Sequence, residues 1–148
     1  MNTIHSQSHR EAKHPKPIPL PNELTRGYWE ATQQGRLDIQ RCQACGYYNH
    51  PPNAACVNCL SPDLKYETVS GRGAIYTYTI MHNPDQRGFE DSPPYACIIV
   101  ELEEQKDLFV LCNLSEGSTT EVKIGRPVEI TFERLTDDIT LPQCRIAG

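Results

Sequence analysis

Two Cys-x-x-Cys pairs, Cys42/Cys45 and Cys56/Cys59, stand ten residues apart in a chain with no other close pair of cysteines. Each pair can present two thiolates from a single turn. A ten-residue excursion is long enough to fold back as a short hairpin and set the second turn opposite the first, around one tetrahedral ion. The spacing is that of a zinc ribbon, so it constrains structure before it says anything about function. Gly46 follows the first pair and lets the backbone turn sharply, with amide hydrogens aimed at the sulfurs. Leu60 holds the same place after the second pair, a departure expected to weaken that turn slightly. A closed four-cysteine site is normally structural and leaves no open position for substrate, which favours zinc. Tetrahedral thiolates also accept iron, so a rubredoxin-like electron carrier is the alternative. Disulfides are disfavoured, because nothing at the N-terminus reads as a secretory signal and cytosolic thiols stay reduced.

The 148 residues, 38% apolar, suffice for one modest domain with a small appendage. No stretch approaches the roughly 18 apolar residues of a membrane span, and a soluble, cytoplasmic protein is expected. The formal charge is -5, becoming about -7 once four thiolates hold a divalent ion. The 14 basic residues are scattered among 19 acidic ones. A protein that tracks a nucleic-acid backbone gathers its Lys and Arg into a stripe, so no nucleic-acid partner is expected.

Three regions follow from composition. Residues 1–21 are polar, with His5, His9 and His14 ahead of prolines at 15, 17, 19 and 21. They read as a flexible N-terminal arm, and the histidines as part of a solvated tail. Residues 22–64 read as a helix and the ribbon. Asn22 is the expected N-cap of a helix running to Gly35, with Leu24, Tyr28 and Ala31 at helical spacing and Trp29 beside them. Leu37 and Ile39 then alternate with polar residues as a strand would, and Pro51-Pro52 mark the ribbon turn. Residues 65–148 carry strand-like runs separated by turn residues, near 66–69, 73–81, 96–102, 108–114, 128–132 and 143–146. The fold class is mainly β: an N-terminal helix, a four-cysteine zinc ribbon and a C-terminal OB-fold barrel, with a sandwich as the alternative.

Residues 82–94 are polar, bracketed by prolines, and carry Arg87 and Phe89, which suits either a binding loop or a long hairpin connection. The run Ser70-Gly71-Arg72-Gly73 reads as a bend at a strand entry, since no helix follows to make it a phosphate cradle. Cys97, Cys112 and Cys144 fall in apolar strands as small hydrophobes. His50 and His82 sit in no nucleophile motif, and His50 is expected to face solvent. No catalytic residues are assigned. Interfaces favour Trp, Tyr and Arg as anchors, which makes Tyr28, Trp29, Arg72, Arg87 and Phe89 the candidates for contact with a partner.

An ordered set of segments carries a resemblance: Tyr28-Trp29, LDIQRCQACG, the PP of the ribbon turn, CVNC, VSGRGAIYTYTI, PPYACIIVEL, IGRPVEITFE and LPQCRI. Over roughly residues 20 to 147 the chain resembles the bacterial and archaeal OB-fold proteins with a rubredoxin-like zinc ribbon, the acyl-CoA-associated family whose members accompany thiolase-type enzymes. The resemblance implies a non-catalytic accessory subunit. It would bind a thiolase-like or related condensing-enzyme subunit in a hetero-oligomer, with possible contact to a CoA-bound substrate. Asn53, Val57 and Leu60 depart from the family pattern of Arg, Pro and Gly, a difference that bears on a ribbon-surface contact and not on the metal site. A different class of reading is a single-stranded nucleic-acid binder, since Tyr76 and Tyr78 are expected to share one strand face and OB barrels stack bases on aromatics. The charge balance opposes it.

Overall fold

The computed structural model describes residues 15–148; the expectations for His5, His9 and His14 lie outside them. Helix α1 spans Arg26–Gln33, a shorter span than the sequence suggests. Asn22 nonetheless caps the turn that leads into it. Its Oδ1 accepts from the Thr25 amide at 2.9 Å, while the Asn22 amide donates to Thr25 Oγ1 at 3.0 Å, a reciprocal capping box. At the other end Gly35 takes φ +71, and its amide donates to the Thr32 carbonyl while that of Arg36 donates to Ala31. These paired bonds close the helix as a Schellman motif, which requires a residue tolerant of the left-handed region.

Two sheets follow. Strands β1 (Asp38–Cys42), β2 (Tyr48–Asn49) and β3 (Leu64–Thr68) form an antiparallel sheet in the order β2-β1-β3, with Asp38 opposite Thr68 and Cys42 opposite Leu64. β3 therefore pairs with the ribbon, although its sequence runs on into the strands of the barrel. As the central strand, β1 is buried on both faces, so the polar residues of its alternation are inside and individually satisfied. Asp38 accepts from Thr68 Oγ1 at 2.7 Å, and the Gln40 amide pairs with both the N–H and the carbonyl of Asn53 at 2.8 and 2.9 Å.

The second sheet contains β4 (Arg72–Met81), β5 (Tyr95–Leu102), β6 (Phe109–Asn113), β7 (Pro127–Arg134) and β8 (Thr140–Ile146), in the order β6-β5-β4-β7-β8. A bulge between Ile75 and Thr77 bends β4, the long strand shared by both halves of the sheet. A parallel bridge between Leu114 and Cys144 brings the two ends together. The Asn113 amide donates to Gln143 Oε1 at 2.7 Å across the same seam. The result is a nearly closed five-stranded barrel with OB connectivity, not a sandwich.

One core serves both sheets. Tyr28, Leu37 and Ile39 belong to the same buried cluster as Ile75, Ile98, Val100 and Val110 of the barrel. The alternation of β5, with Ala96, Ile98, Val100 and Leu102 all inside, supplies its center. A second tie is polar: Gln105, between β5 and β6, accepts from the Tyr48 amide at 2.8 Å and donates to the Tyr48 carbonyl at 3.0 Å. Among the described residues no helix is long and apolar enough to cross a membrane.

Candidate metal centre and docking cleft

The four cysteines of the paired motifs converge. Their Sγ atoms all lie within 4.8 Å of one another, with Cys42 to Cys59 at 3.6 Å and Cys45 to Cys56 at 3.7 Å. Zinc–thiolate bonds of about 2.3 Å in a tetrahedron require sulfurs about 3.8 Å apart, and the two closest contacts meet that spacing, so the donor set suits such an ion.

The two turns repeat one backbone. Gly46 and Leu60 donate their amides to the carbonyls of Cys42 and Cys56, at 2.9 and 2.8 Å, and Cys42 and Cys56 donate theirs to Tyr47 and Ser61, at 2.9 Å in each case. Gly46 has φ +79 and Leu60 φ +65. The sulfurs also accept: Cys42 from the Cys45 amide at 3.5 Å, Cys56 from the Asn58 amide at 3.4 Å and from Asn49 Nδ2 at 3.6 Å, and Cys45 from Asn58 Nδ2 at 3.5 Å. Such donors orient thiolates and share their charge. Asn58 stands inside the second motif and Asn49 lies buried beside it. Sequence reasoning missed both, although an amide side chain within a Cys-x-x-Cys turn is a usable signal.

The thiols respond to this crowding. Burial pushes Cys56 up, but the amides of Cys59 and Asn58 and the Asn49 side chain outweigh it and draw it down to about 6. The side chain of Asn58 and then the backbone of Tyr47 lower Cys45. The Ser61 amide lowers Cys59, yet the neighbouring sulfurs prevail and push it up to about 12. Four negative charges this close repel one another, and a bound cation relieves the repulsion.

The other feature is a cleft of about 540 Å³ where α1, the ribbon turn, the 82–94 loop and strands β5, β6 and β8 meet. Tyr28, Trp29 and Phe89 line it together; Arg72 and Arg87 do not. Arg72 lies in a separate groove of about 460 Å³, paired with Glu103 at 2.6 Å. Arg87 is exposed on its loop and has no ion pair among the described residues. Tyr28 is buried and meets Trp29 edge-on, with ring centroids 5.1 Å apart at 83°. Against expectation, His50 is half-buried: its ring rests on Tyr28 at 5.1 Å, and burial lowers its pKa, so it is neutral near pH 7. Phe89 stacks on Tyr95 at 5.3 Å and 24°. Tyr95, Leu111 and Pro142 complete the walls and were invisible in the sequence, since only the fold brings them beside Trp29.

Cys97 and Cys112 also reach this cleft, but no hydrogen bond joins either to His50 among the described residues. Contact with Cys144, together with burial, raises the pKa of Cys112 and keeps its thiol protonated. The described cleft residues thus contain no nucleophile hydrogen-bonded to a base.

Comparison with known proteins agrees with this architecture. Residues 29–65 match the family described as "ChsH2, rubredoxin-like zinc ribbon domain", and residues 66–133 match "ChsH2, C-terminal OB-fold domain". A Thermomonospora curvata protein named "Probable enoyl-CoA hydratase alpha subunit" is 35% identical over 141 residues, covering 95% of this chain and 43% of that protein. The chain therefore spans less than half the length of that relative. A "DUF35 domain-containing scaffold protein" of Pyrococcus furiosus is 30% identical over 117 residues, 79% of this chain and 83% of its own. Among solved structures, a chain of the "Ltp2-ChsH2(DUF35) aldolase" superposes with a TM-score of 0.79 at 34% identity, covering 88% of this chain and 100% of that one. With both domain patterns matched in order and a relative of this identity covered over most of its length, the chain belongs to the ChsH2 (DUF35) family of zinc-ribbon and OB-fold proteins.

Proposed function

We propose that this chain is a non-catalytic accessory subunit that binds and organises a thiolase-like or related condensing enzyme acting on acyl-CoA substrates. Its ribbon is held by one zinc ion on Cys42, Cys45, Cys56 and Cys59. The observation that carries this reading is that the chain spans the whole of a chain from the Ltp2-ChsH2 aldolase while four of its thiols are gathered in a closed cluster and, of the other three, neither Cys97 nor Cys112, which reach the cleft, is hydrogen-bonded to a base among the described residues. Relatives named as scaffold proteins and as an alpha subunit of a hydratase support an assembly role in acyl-CoA chemistry. A bound ion would complete the ribbon, and the closed ligand set leaves no position at which it could act on substrate.

The test is to express this chain with and without its candidate thiolase-like partner and to assay CoA-dependent acyl transfer in each preparation. The expected result is a stable complex, no activity from this chain alone, and a loss of stability or turnover when the partner is alone. Full activity from either subunit by itself would overturn the reading.

A further inference from the structure

The cleft between α1 and the barrel has a composition that narrows what can enter it. None of its sixteen lining residues is Asp, Glu, Lys or Arg, in a chain with 33 such residues. At one end the rings of Trp29, Tyr28 and His50 are in continuous contact, the first pair edge-on and the second tilted. None of the three side chains has a hydrogen-bond partner among the described residues. Tyr28 is only 8% exposed and lines the cleft, and burial raises the pKa of its hydroxyl, keeping it a donor.

Covering such donors without supplying acceptors costs free energy, so the cleft favours an occupant that brings carbonyl oxygens at several points. A helix keeps its carbonyls for itself except in its last turn, whereas extended backbone offers them outward. Walls of aromatic and proline side chains, here Trp29, Pro51, Phe89, Tyr95 and Pro142, are of the kind that receives extended chains. Backbone already lies against the rim: the Pro15 carbonyl oxygen and Lys16 Cα are 2.8 Å from where a Cβ on Gly88 would stand, and the Lys16 ammonium is 5.1 Å from the Phe89 ring center. The apolar surface also continues past the cleft: Leu111, a wall residue 71% exposed, has Ile99 as its cross-strand partner, and beyond the lining Tyr76, 51% exposed, meets Phe109 at 4.6 Å. That reach suits a protein surface better than an isolated small molecule. No Lys or Arg is among the lining residues, so apart from the Lys16 ammonium at the rim the cleft brings no fixed positive charge to a phosphate.

We infer that this cleft seats an uncharged, extended segment of the partner enzyme subunit, whose backbone carbonyls are received by the Trp29 indole N–H, the Tyr28 hydroxyl and the His50 ring. The inference rests on the accessory-subunit reading and assigns the face that makes the contact.

The test measures the affinity of the purified thiolase-like partner for four forms of this chain: the parent, Leu111→Asp, Trp29→Phe and Ile124→Asp. Ile124 is 69% exposed and lines neither groove, so its variant controls for a charge placed on an apolar surface site. Leu111→Asp should weaken binding at least about tenfold, since it puts a carboxylate into a buried apolar contact. Trp29→Phe keeps a ring and removes one donor, and should weaken binding about two- to tenfold. Ile124→Asp should bind as the parent does. Retained metal and circular dichroism establish that each variant is folded. Either cleft variant binding like the parent, or all three variants weakening equally, overturns the inference while leaving the accessory reading intact. A parent chain that binds no such subunit overturns that reading, and the assignment of the face with it.

Discussion

The two cysteine turns of the ribbon have one backbone written in two sequences. Both close with the same pair of amide-to-carbonyl bonds, and both end in a residue with positive φ. In the first that residue is Gly46, which adopts the left-handed region freely; in the second it is Leu60, which pays roughly 1–2 kcal/mol to do so. The Leu60 side chain makes no evident return, being 78% exposed. The geometry needed to bring four sulfurs within reach of one another dictates the backbone, and the local preference of the residue yields to it.

If that is right, removing the convergence should have the largest effect of any local change. Cys56→Ser, or treatment with a strong chelator, should abolish the approximately one equivalent of zinc expected per chain. It should also unfold the ribbon, because metal binding supplies folding free energy in such small sites, on the order of 10 kcal/mol. Elemental analysis and amide exchange over residues 42–61 would show it. Cys112→Ala makes the contrast within one residue type. It removes a buried thiol from the barrel, should cost on the order of 1 kcal/mol, and should leave the metal content unchanged. A metal-free chain that keeps its ribbon protection, or a purified protein reddened by iron, would defeat the zinc assignment.

The contrast between the turns also marks what could be read from the sequence. The ligands were legible because the chemistry fixes both residue type and spacing. The strands of the barrel were legible because each carries its own alternation, as in β5, or its own turn signals. Pairing was not legible. β3 joins the ribbon because it completes the sheet beside β1, and nothing in Leu64–Thr68 by itself declares which sheet it will enter. The burial of Asp38 and Gln40 was hidden because their satisfaction comes from Thr68 and Asn53, up to 30 residues away. His50 was expected in solvent because its neighbour on α1, Tyr28, is remote in sequence. The cleft was illegible for the same reason: Trp29, Pro51, Phe89, Leu111 and Pro142 become one wall only after both sheets share a core.

Substituting the residues at the equivalent positions tests the comparison directly. Gly46→Ala introduces a Cβ that meets no more than an ordinary contact, 3.7 Å from the Arg41 guanidinium, so its cost should be that of the left-handed backbone alone. After allowing for the smaller unfolded-state entropy of Ala, a destabilisation of about 1 kcal/mol is expected, or roughly a fivefold shift toward zinc loss in competition with a chelator. A much larger shift would mean that the first turn has steric demands that the second does not.

Leu60→Gly is the reverse experiment and has the smallest expected effect. It relieves a left-handed penalty of roughly 1–2 kcal/mol and incurs about 0.5–1 kcal/mol of additional chain entropy on folding. It leaves the Leu60 amide free to make the same bond to Cys56, since glycine carries the same N–H. The net gain should be about 0.5 kcal/mol, visible as a roughly twofold rise in resistance to the chelator. Because the lost side chain is mostly exposed, little packing is given up, and the barrel should melt as before. A gain confined to metal retention would support a strained second turn. A loss of stability would instead mean that Leu60 makes a contact worth more than the strain it imposes, so that the departure from glycine serves packing after all. Partner affinity separates these cases further, since Leu60 lies outside the cleft: if Leu60→Gly tightened the metal site yet weakened the complex, the exposed leucine would belong to a second contact surface on the ribbon.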